Sequence, residues 1–344
     1  KGGKEAARVL GLMGPRAADG VPALIALLAQ RQRDAELRQR AAIALGLIGT
    51  PSADIVPALI AALKDDKLQV RQGAAEGLAW IGPPAREAVP ALVAALKDDK
   101  PEVSAACKAL ARIGDAGAAP ALLAALQSGN DKVADPAGEA LWHLAPSSRV
   151  IVPALIPLAK GHAQGVPLRS DGHPQGMPLR VRNLLASLGP TAVHDLITAV
   201  RDEDAGVRQA AAEVLGMIGP AARKAVPALA GTLKDKSPPV ALAAALALAA
   251  IDPTRAREAV PLLTDSLDNP YAAEALAEIG PDARAAVPAL IAALKPRQGA
   301  ANNDAVRVAA RHALACIGAP AVPALSDALK DKDEGVVILA AEAL

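Results

Sequence analysis

The sequence has few aromatic residues, only two cysteines and no excess of either charge. Of its 344 residues 1% are aromatic, none is Phe and 52% are hydrophobic, so a core must be built from Ala, Leu, Val and Ile. Lys plus Arg number 37 against 36 Asp plus Glu. This balance gives no overall field that would attract nucleic acid or an anionic membrane, and we expect neither as a partner.

The short motifs of common enzyme classes are also missing. The sequence has no G-x-x-x-x-G-K-[ST], H-E-x-x-H, C-x-x-C or G-x-S-x-G, the minimal motifs of phosphate-binding loops, zinc proteases and serine hydrolases. Its aromatic residues, Trp80, Trp142 and Tyr271, are too few for the aromatic channel of a base-flipping enzyme. The longest wholly apolar run, Val240 to Ile251, is about half a membrane span and predicts a buried helix. We therefore predict no catalytic residue, no cofactor and no metal ligand.

The chain does contain a ten-fold repeat. A helix-opening block of the V-P-A-L type recurs along it, and most spacings lie between 30 and 35 residues. Such a period is the signature of a solenoid, in which each unit contacts only its neighbours. The blocks begin at Val21, Val56, Val89, Ala119, Val152, Val193, Val226, Val260, Val287 and Val322.

One unit shows why this period predicts two helices. Pro57 stands in a first helical turn, where its missing N–H would have had no partner. An apolar stripe follows at helical spacing, and the polar turn at 64–67 leads to a second stripe from Val70 to Ile81. Gly82 and Pro83 end that second helix. The same terminating position is occupied by Gly14, Gly49, Gly114, Gly189, Gly219, Gly280 and Gly318, and by Ala145 and Asp252 in the remaining two repeats. Each unit is thus expected to be an antiparallel helix pair, and no strand is needed.

The pattern V-P-A-L-I-A-A-L-K-D-D, followed by V-R-x-x-A-A-E-x-L and I-G-P, resembles the short HEAT-like repeats of phycobilin lyases and bacterial scaffold proteins. The resemblance runs from Lys4 to Leu344. It implies an all-α fold, a right-handed α-α superhelix of ten helix pairs after one lone helix, as one continuous solenoid over 1–344. The family's turn aspartate and early second-helix arginine bond along the stack, which implies a structural ladder here. The pattern matches at Asp65 with Arg71 and Asp202 with Arg208, and in the arginine alone at Arg38, Arg182 and Arg307.

The two cysteines and the chain ends add little. Cys107 and Cys316 lie six repeats apart, too far for an intrachain disulfide, and we expect both to be buried thiols. No secretion signal is visible, which favours a cytoplasmic location. The chain starts without Met and stops before the expected I-G-P terminator. It therefore has the form of a segment of a longer protein, and the loss of a signal peptide stays open.

Two insertions interrupt the repeat. The turn at 160–176 is much longer than the four-residue turn at 64–67, and insertions in solenoids form edge loops. His162, Asp171 and His173 offer metal-binding atoms, but their spacing matches no standard site. A surface loop is the favoured interpretation for this insertion and for the smaller one at 296–303.

The second helices carry the best candidate for a binding site. When they are aligned by their terminating residues, three adjacent units place charged and aromatic side chains opposite the apolar stripe. Aromatic and Arg residues are the preferred anchors of protein interfaces. By resemblance, second helices line the concave surface. The predicted partner site comprises Glu76, Trp80, Lys108, Arg112, Glu139, Trp142 and His143. In the alternative interpretation, Trp80 and Trp142 fill gaps between Ala-rich helices.

A basic cluster near the first turn is a weaker candidate. It consists of Arg31, Arg33, Arg38 and Arg40, with Asp34 and Glu36 between them. Since these acids offset its charge, a solvated face is the better interpretation.

These observations predict a non-catalytic protein–protein interaction scaffold, which binds another protein or a peptide on its concave face. The alternative is a bilin-lyase-like subunit that holds a chromophore there and would change the absorbance of added bilin. A third hypothesis, a HEAT-like protein that binds nucleic acid without sequence specificity, predicts an affinity that falls steeply with salt.

Overall fold

The computed structural model describes residues 2–49, 53–96, 103–128, 130–147, 151–159, 177–296 and 303–344. The chain divides into two compact units, Lys1–Leu155 and Ile156–Leu344. That one continuous solenoid spans 1–344 stays a prediction. The insertion at 160–176, with His162, Asp171 and His173, lies outside the described residues, as do 297–302 of the smaller insertion.

Unit 1 begins with a lone helix and continues as helix pairs. In each pair a short helix, which opens on the Val-Pro type of block, precedes a longer one. The helices are α1 Gly2–Met13, α2 Val21–Ala29, α3 Ala35–Ile48, α4 Ile55–Ala62, α5 Leu68–Ile81, α6 Val89–Ala95, α7 Val103–Ile113, α8 Ala119–Leu126, α9 Asp131–Leu144 and α10 Ile151–Leu155.

Unit 2 repeats the same alternation of short and long helices. Its helices are α11 Met177–Ser187, α12 Pro190–Ala199, α13 Ala205–Ile218, α14 Val226–Thr232, α15 Pro238–Ile251, α16 Val260–Asp265, α17 Pro270–Ile279, α18 Val287–Ala293, α19 Asn303–Ile317, α20 Val322–Ala328 and α21 Glu334–Ala343. The described residues of both units contain helices, turns and bends but no strand.

Glycine ends the helices where the sequence predicts it. All eight predicted terminators, from Gly14 to Gly318, have φ between 54° and 73°. A side chain is strained in that left-handed conformation, so glycine is the residue that suits it. The sequence analysis did not predict the short 3-10 helix that follows most of these glycines. Pro83–Ala88 and Gly280–Ala286 are examples that carry the chain to the next Val-Pro block.

The long helices of each unit pack side by side in chain order. In unit 1, α1 contacts α3, α3 contacts α5, α5 contacts α7 and α7 contacts α9, while each short helix packs on its own long partner. The buried side chains are mostly Ala, Leu, Val and Ile, as the composition predicts. The long helices of unit 1 thus form one layer.

Two of these helices touch through their backbones. A Cβ atom built on Gly46 of α3 would lie 2.4 Å from the Cα of Gly77 in α5, and one on Gly77 would lie 2.5 Å from the carbonyl oxygen of Ala42. Real Cβ atoms do not approach other atoms this closely. Glycine at both positions is therefore what allows α3 and α5 to pack at this distance.

Two arginines of the predicted ladder pair with the turn aspartate of the next repeat. Arg38 is 1% exposed and forms an ion pair with Asp65, which is 7% exposed. In the same way Arg208 pairs with Asp235. Asp65 and Arg71, which the sequence pattern pairs, belong to the same repeat. There Arg71 donates to the backbone carbonyls of Asp65 and Asp66. The aspartate carboxylate thus holds two consecutive helix pairs together.

The remaining two ladder arginines bond differently. The Arg182 guanidinium lies 2.7 Å from a Glu213 carboxylate oxygen and donates from Nε to the carbonyl of Ala159. Arg307 donates from Nε to the carbonyl of Leu294 at 2.8 Å. Both arginines bridge neighbouring elements, so their structural role agrees with the prediction.

A second, more exposed series of ion pairs joins the 3-10 segments. Arg223 lies 3.1 Å from Asp252, and Arg257 pairs with Asp282, in each case one repeat further on. Arg86 and Asp115 form the equivalent pair at 3.9 Å. The sequence analysis did not find this series, because its partners lie 25 to 29 residues apart.

The structure tests the predictions for the basic cluster and for the two cysteines. Three of the four arginines in the basic cluster have acidic partners, since Arg31 reaches Asp66, Arg40 reaches Glu36 and Arg38 belongs to the buried ladder. The prediction of two buried thiols is wrong for one of them, because Cys107 is buried and Cys316 is exposed. Cys316 occupies the outward position two residues before Gly318, where its Sγ lies 3.5 Å from Nε2 of His312.

One stretch of the described chain, Gly3–Ala29, is long and apolar enough to cross a membrane by length and composition. Gly14, at φ 57°, breaks it into α1 and α2, and both helices pack on α3. The bent pair Asp304–Ile317 and Ala319–Ala328 passes the same test, with an angle of 114° between its halves.

Candidate functional site

A groove of about 800 Å³ crosses the free face of the long helices in unit 1. Helices α5, α7 and α9 form most of it, and α3 contributes one residue. The lining residues are Gln39, Gln72, Glu76, Ala79, Trp80, Ser104, Ala105, Cys107, Lys108, Ala111, Arg112, Pro136, Glu139, Ala140 and His143. Six of the seven residues predicted for the partner site are among them.

Two rows of these side chains cross the groove from helix to helix. Trp80, Arg112 and His143 each stand two residues before the end signal of their helix, at Gly82, Gly114 and Ala145. Glu76, Lys108 and Glu139 each stand six residues before it. Residues four apart share one face of a helix, so the two rows lie one turn apart. Small residues beside them, such as Ala79, Ala111 and Ala140, keep the groove open.

Trp80 and Arg112 contact each other across neighbouring helices. The Arg112 guanidinium carbon lies 4.6 Å from the centroid of the Trp80 ring, which is cation–π geometry. Trp80 is 49% exposed, so the alternative in which it fills a gap in the core is wrong. The stacking holds a flat apolar surface and a cation at fixed positions on one wall of the groove.

Trp142 does not line the groove. It is 42% exposed, so it does not fill a core gap either, and its ring stands edge-on to His143 with centroids 4.8 Å apart. His143 itself faces the groove. Trp142 therefore supports His143 from outside the groove, and whether it contacts a partner stays a prediction.

The charged residues of the groove have no ion-pair partner in the described part of unit 1. Glu76, Lys108 and Glu139 are exposed, and no salt bridge or side-chain hydrogen bond joins any of them to a described residue. Glu213, at the position of Glu76 in unit 2, instead forms an ion pair with buried Arg182. The glutamate at this position thus has a structural role in α13, whereas Glu76 in α5 has no described ion-pair partner.

The sequence analysis missed several polar and special residues of the groove. Gln39, Gln72 and Ser104 form a third row, ten residues before the helix ends, that offers amide and hydroxyl groups. Pro136 lies inside α9, where its ring takes the place of a helical N–H. Aligning every polar residue of the second helices, as well as the charged and aromatic ones, would have found the three polar residues.

Cys107 lies beneath the groove and is fully buried. Burial, with a smaller contribution from the Glu139 charge, raises the pKa of this thiol to about 12. The thiol therefore stays protonated near neutral pH and is a poor nucleophile. Among the described residues no group of three or more His, Cys, Asp or Glu side chains could hold a metal ion.

Comparison with known families agrees with this architecture. The family described as HEAT repeats matches residues 21–104, 56–142 and 193–272, which together make up more than half of the chain. The chain belongs to the HEAT-repeat family. A further match, to the PBS lyase HEAT-like repeat, covers residues 271–296. The predicted all-α, HEAT-like solenoid fold is thus confirmed, and the groove lies on the long helices of the matched repeats.

Several solved structures also resemble this HEAT-repeat chain. Kap95p from its complex with RanGDP is 16% identical, with a TM-score of 0.49 over 93% of this chain and 50% of that one. A chain of the Kap95:Nup1 complex is also 16% identical, with a TM-score of 0.48 over 99% of this chain and 55% of that one. An engineered protein is 24% identical, with a TM-score of 0.38 over 94% of this chain and 97% of its own. The chain spans about half the length of the two Kap95 chains, and comparison with curated proteins gives no match.

Proposed function

We propose that this HEAT-repeat chain is a non-catalytic scaffold and that the groove on α5, α7 and α9 binds a segment of another protein. The observation that carries the proposal is the meeting of six predicted side chains in one groove, where Trp80 and Arg112 stack and the flanking charges are free. At the equivalent position of α13, the Glu213 carboxylate instead forms an ion pair with buried Arg182.

The chemistry of the groove suits a protein ligand. Trp and Arg are the residues most often found to dominate binding energy, because each combines a large contact area with a polar or charged group. Their mutual stacking reduces the side-chain freedom that binding would otherwise remove. The charged side chains around them, which hold no ion pair in the described structure, favour a partner of complementary charge.

Selection from a peptide library tests the proposal and needs no identified partner. A displayed library of random peptides is selected on the wild-type chain and, in parallel, on Trp80→Ala/Arg112→Ala. A control variant, Glu278→Ala, changes an exposed residue of α17 in unit 2 that stands at the position of Trp80. We expect peptides enriched on wild type to bind the control equally and to lose binding to the groove variant. Enrichment that is identical on all three proteins would refute the proposal.

A second candidate, a chromophore-binding subunit, is favoured by the match to the PBS lyase HEAT-like repeat. That match covers 26 residues, 271–296, none of which lines the groove. Titration with a bilin separates the two functions, because a chromophore-binding subunit would shift the bilin absorbance and a peptide-binding scaffold would leave it unchanged.

A further inference from the structure

We infer that the groove selects a polyproline-II segment with a basic, an acidic and a basic side chain at positions i, i+3 and i+6. This inference rests on the proposed function and names the class of peptide that it would take. It is carried by the order of the free charges across the three helices and by the distance between adjacent helices.

The charges alternate across the groove. Glu76 on α5, Lys108 on α7 and Glu139 on α9 form one row, so the sign runs negative, positive, negative. Arg112 stands one turn beyond Lys108 on the same face of α7 and doubles the positive charge at the centre. A ligand that crosses the helices in this order meets complementary charges only if its own signs run positive, negative, positive.

The spacing favours polyproline II among regular conformations. Packed helices lie about 8–10 Å apart. A polyproline-II chain advances about 3.1 Å per residue with three residues per turn, so every third side chain points the same way about 9.3 Å further on. In a β-strand residues i and i+3 point to opposite sides, and one face cannot present all three charges. A ligand helix presents the same face every seventh residue, about 10.5 Å further on, which is longer than the about 8–10 Å between packed helices.

Two further features of the groove fit such a chain. The exposed ring of Trp80 offers the flat aromatic surface on which proline rings pack. Because the polyproline-II backbone makes no internal hydrogen bonds, its carbonyls need outside donors. Gln39, Gln72 and Ser104 supply amide and hydroxyl donors along one side of the groove.

The direct test measures the affinity of defined peptides by fluorescence anisotropy. The probe is a labelled, end-capped peptide with the core K-P-P-E-P-P-K. Comparison peptides carry the reversed charges, E-P-P-K-P-P-E, the shortened spacing K-P-E-P-K, or the same three charges at i, i+7 and i+14 of an alanine-rich helix. We expect the first peptide to bind at least about tenfold tighter than each of the others, a difference that corresponds to about 1.4 kcal/mol. Equal or tighter binding of any comparison peptide, or no binding of the first, would overturn the inference.

A charge exchange on the protein checks the position of the contact. Glu76→Lys/Glu139→Lys changes exposed residues that hold no described ion pair, so the fold should be retained, and circular dichroism verifies this. The double variant should lose at least about tenfold in affinity for K-P-P-E-P-P-K and gain affinity for E-P-P-E-P-P-E. Unchanged preferences would contradict the assigned charge order.

Groove-dependent library enrichment without the basic–acidic–basic pattern would defeat this inference and leave the proposed function intact. Absence of groove-dependent enrichment would defeat both.

Discussion

Arg208 of one repeat donates two parallel hydrogen bonds to Asp235 of the next, from Nε to Oδ2 at 2.8 Å and from Nη2 to Oδ1 at 2.9 Å. The same carboxylate accepts the backbone N–H of Ser237, and Arg208 also donates to the carbonyls of Asp202 and Glu203. One ion pair thereby fixes two turns relative to each other. It shows how repeats whose helices are short and Ala-rich acquire a defined spacing.

The Arg208 guanidinium lowers the pKa of Asp235, since its hydrogen bonds favour the ionised carboxylate. A carboxyl whose folded pKa is lowered contributes stability above its unfolded pKa of about 3.9, and this contribution is lost as pH falls through the folded pKa. Asp235→Asn keeps the turn but removes the charge. We expect it to lower the free energy of unfolding near neutral pH by about 1–3 kcal/mol.

Thermal unfolding at a series of pH values measures this effect. The difference between wild type and Asp235→Asn should shrink as the pH falls below 4. Asp327→Asn is the matched control, because Asp327 pairs with Lys330 on the surface and should contribute about 1 kcal/mol or less. An equal loss in both variants would contradict a special role for the ladder.

The backbone contact between α3 and α5 gives the next prediction. Gly77→Ala places a methyl group 2.5 Å from a carbonyl oxygen of α3, so the helices must separate and unfolding should become easier by about 1–3 kcal/mol. In Gly138→Ala of α9 the new Cβ meets only Leu126 Cδ1 at 3.6 Å. This control should be neutral or stabilising by up to about 1 kcal/mol, as expected for Gly to Ala in a helix. Urea denaturation measures the free energy of unfolding of both variants, and an equal change in the two would contradict the close contact of α3 and α5.

The two cysteines are expected to differ in reactivity. Cys107 is fully buried with a raised pKa, whereas Cys316 is exposed beside His312. A thiol reagent added at pH 8 should label one cysteine rapidly in the native protein and the second only in denaturant. Cys316→Ser should abolish the rapid phase, and Cys107→Ser should leave it unchanged. Rapid labelling of two cysteines in the native wild type would contradict this expectation and show that Cys107, beneath the groove, becomes accessible.

Stability should be local to each repeat. Leu78 in α5 and Leu215 in α13 are both fully buried, and truncation of either to Ala is expected to cost about 2–5 kcal/mol. Because each pair contacts mainly its neighbours, hydrogen exchange should lose protection near the substitution first. Equal loss of protection from α1 to α21 in either variant would argue against nearest-neighbour coupling.

Sequence periodicity predicted the helices well and their contacts less well. Val-Pro blocks, apolar stripes and terminating glycines are local signals, and so the helix pairs and the outward direction of Trp80 and Arg112 could be predicted. The partner of Arg208 is 27 residues away, so choosing Asp235 rather than Asp202 requires the stacked structure. The burial of Cys107 and the exposure of Cys316 likewise depend on which neighbour covers each helix.

Glu213 illustrates the same limit at the site. Its position in the repeat equals that of Glu76, and the alignment alone predicts that Glu213→Ala leaves partner binding unchanged. The substitution is a poor control for that prediction, because Glu213 balances the charge of buried Arg182 and its loss would destabilise unit 2. Glu274, which is exposed at the same position in α17, is the appropriate control residue.

The most direct test of the account measures the affinity of one library-selected peptide for single variants of the groove. Trp80→Ala and Arg112→Ala should each weaken binding by about 1–4 kcal/mol, because truncation of a central aromatic or Arg anchor commonly costs that much. Both residues are exposed, so the melting temperature should change little, and Glu274→Ala should bind like wild type. Wild-type affinity in well-folded Trp80→Ala and Arg112→Ala would contradict the assignment of the groove as the partner site.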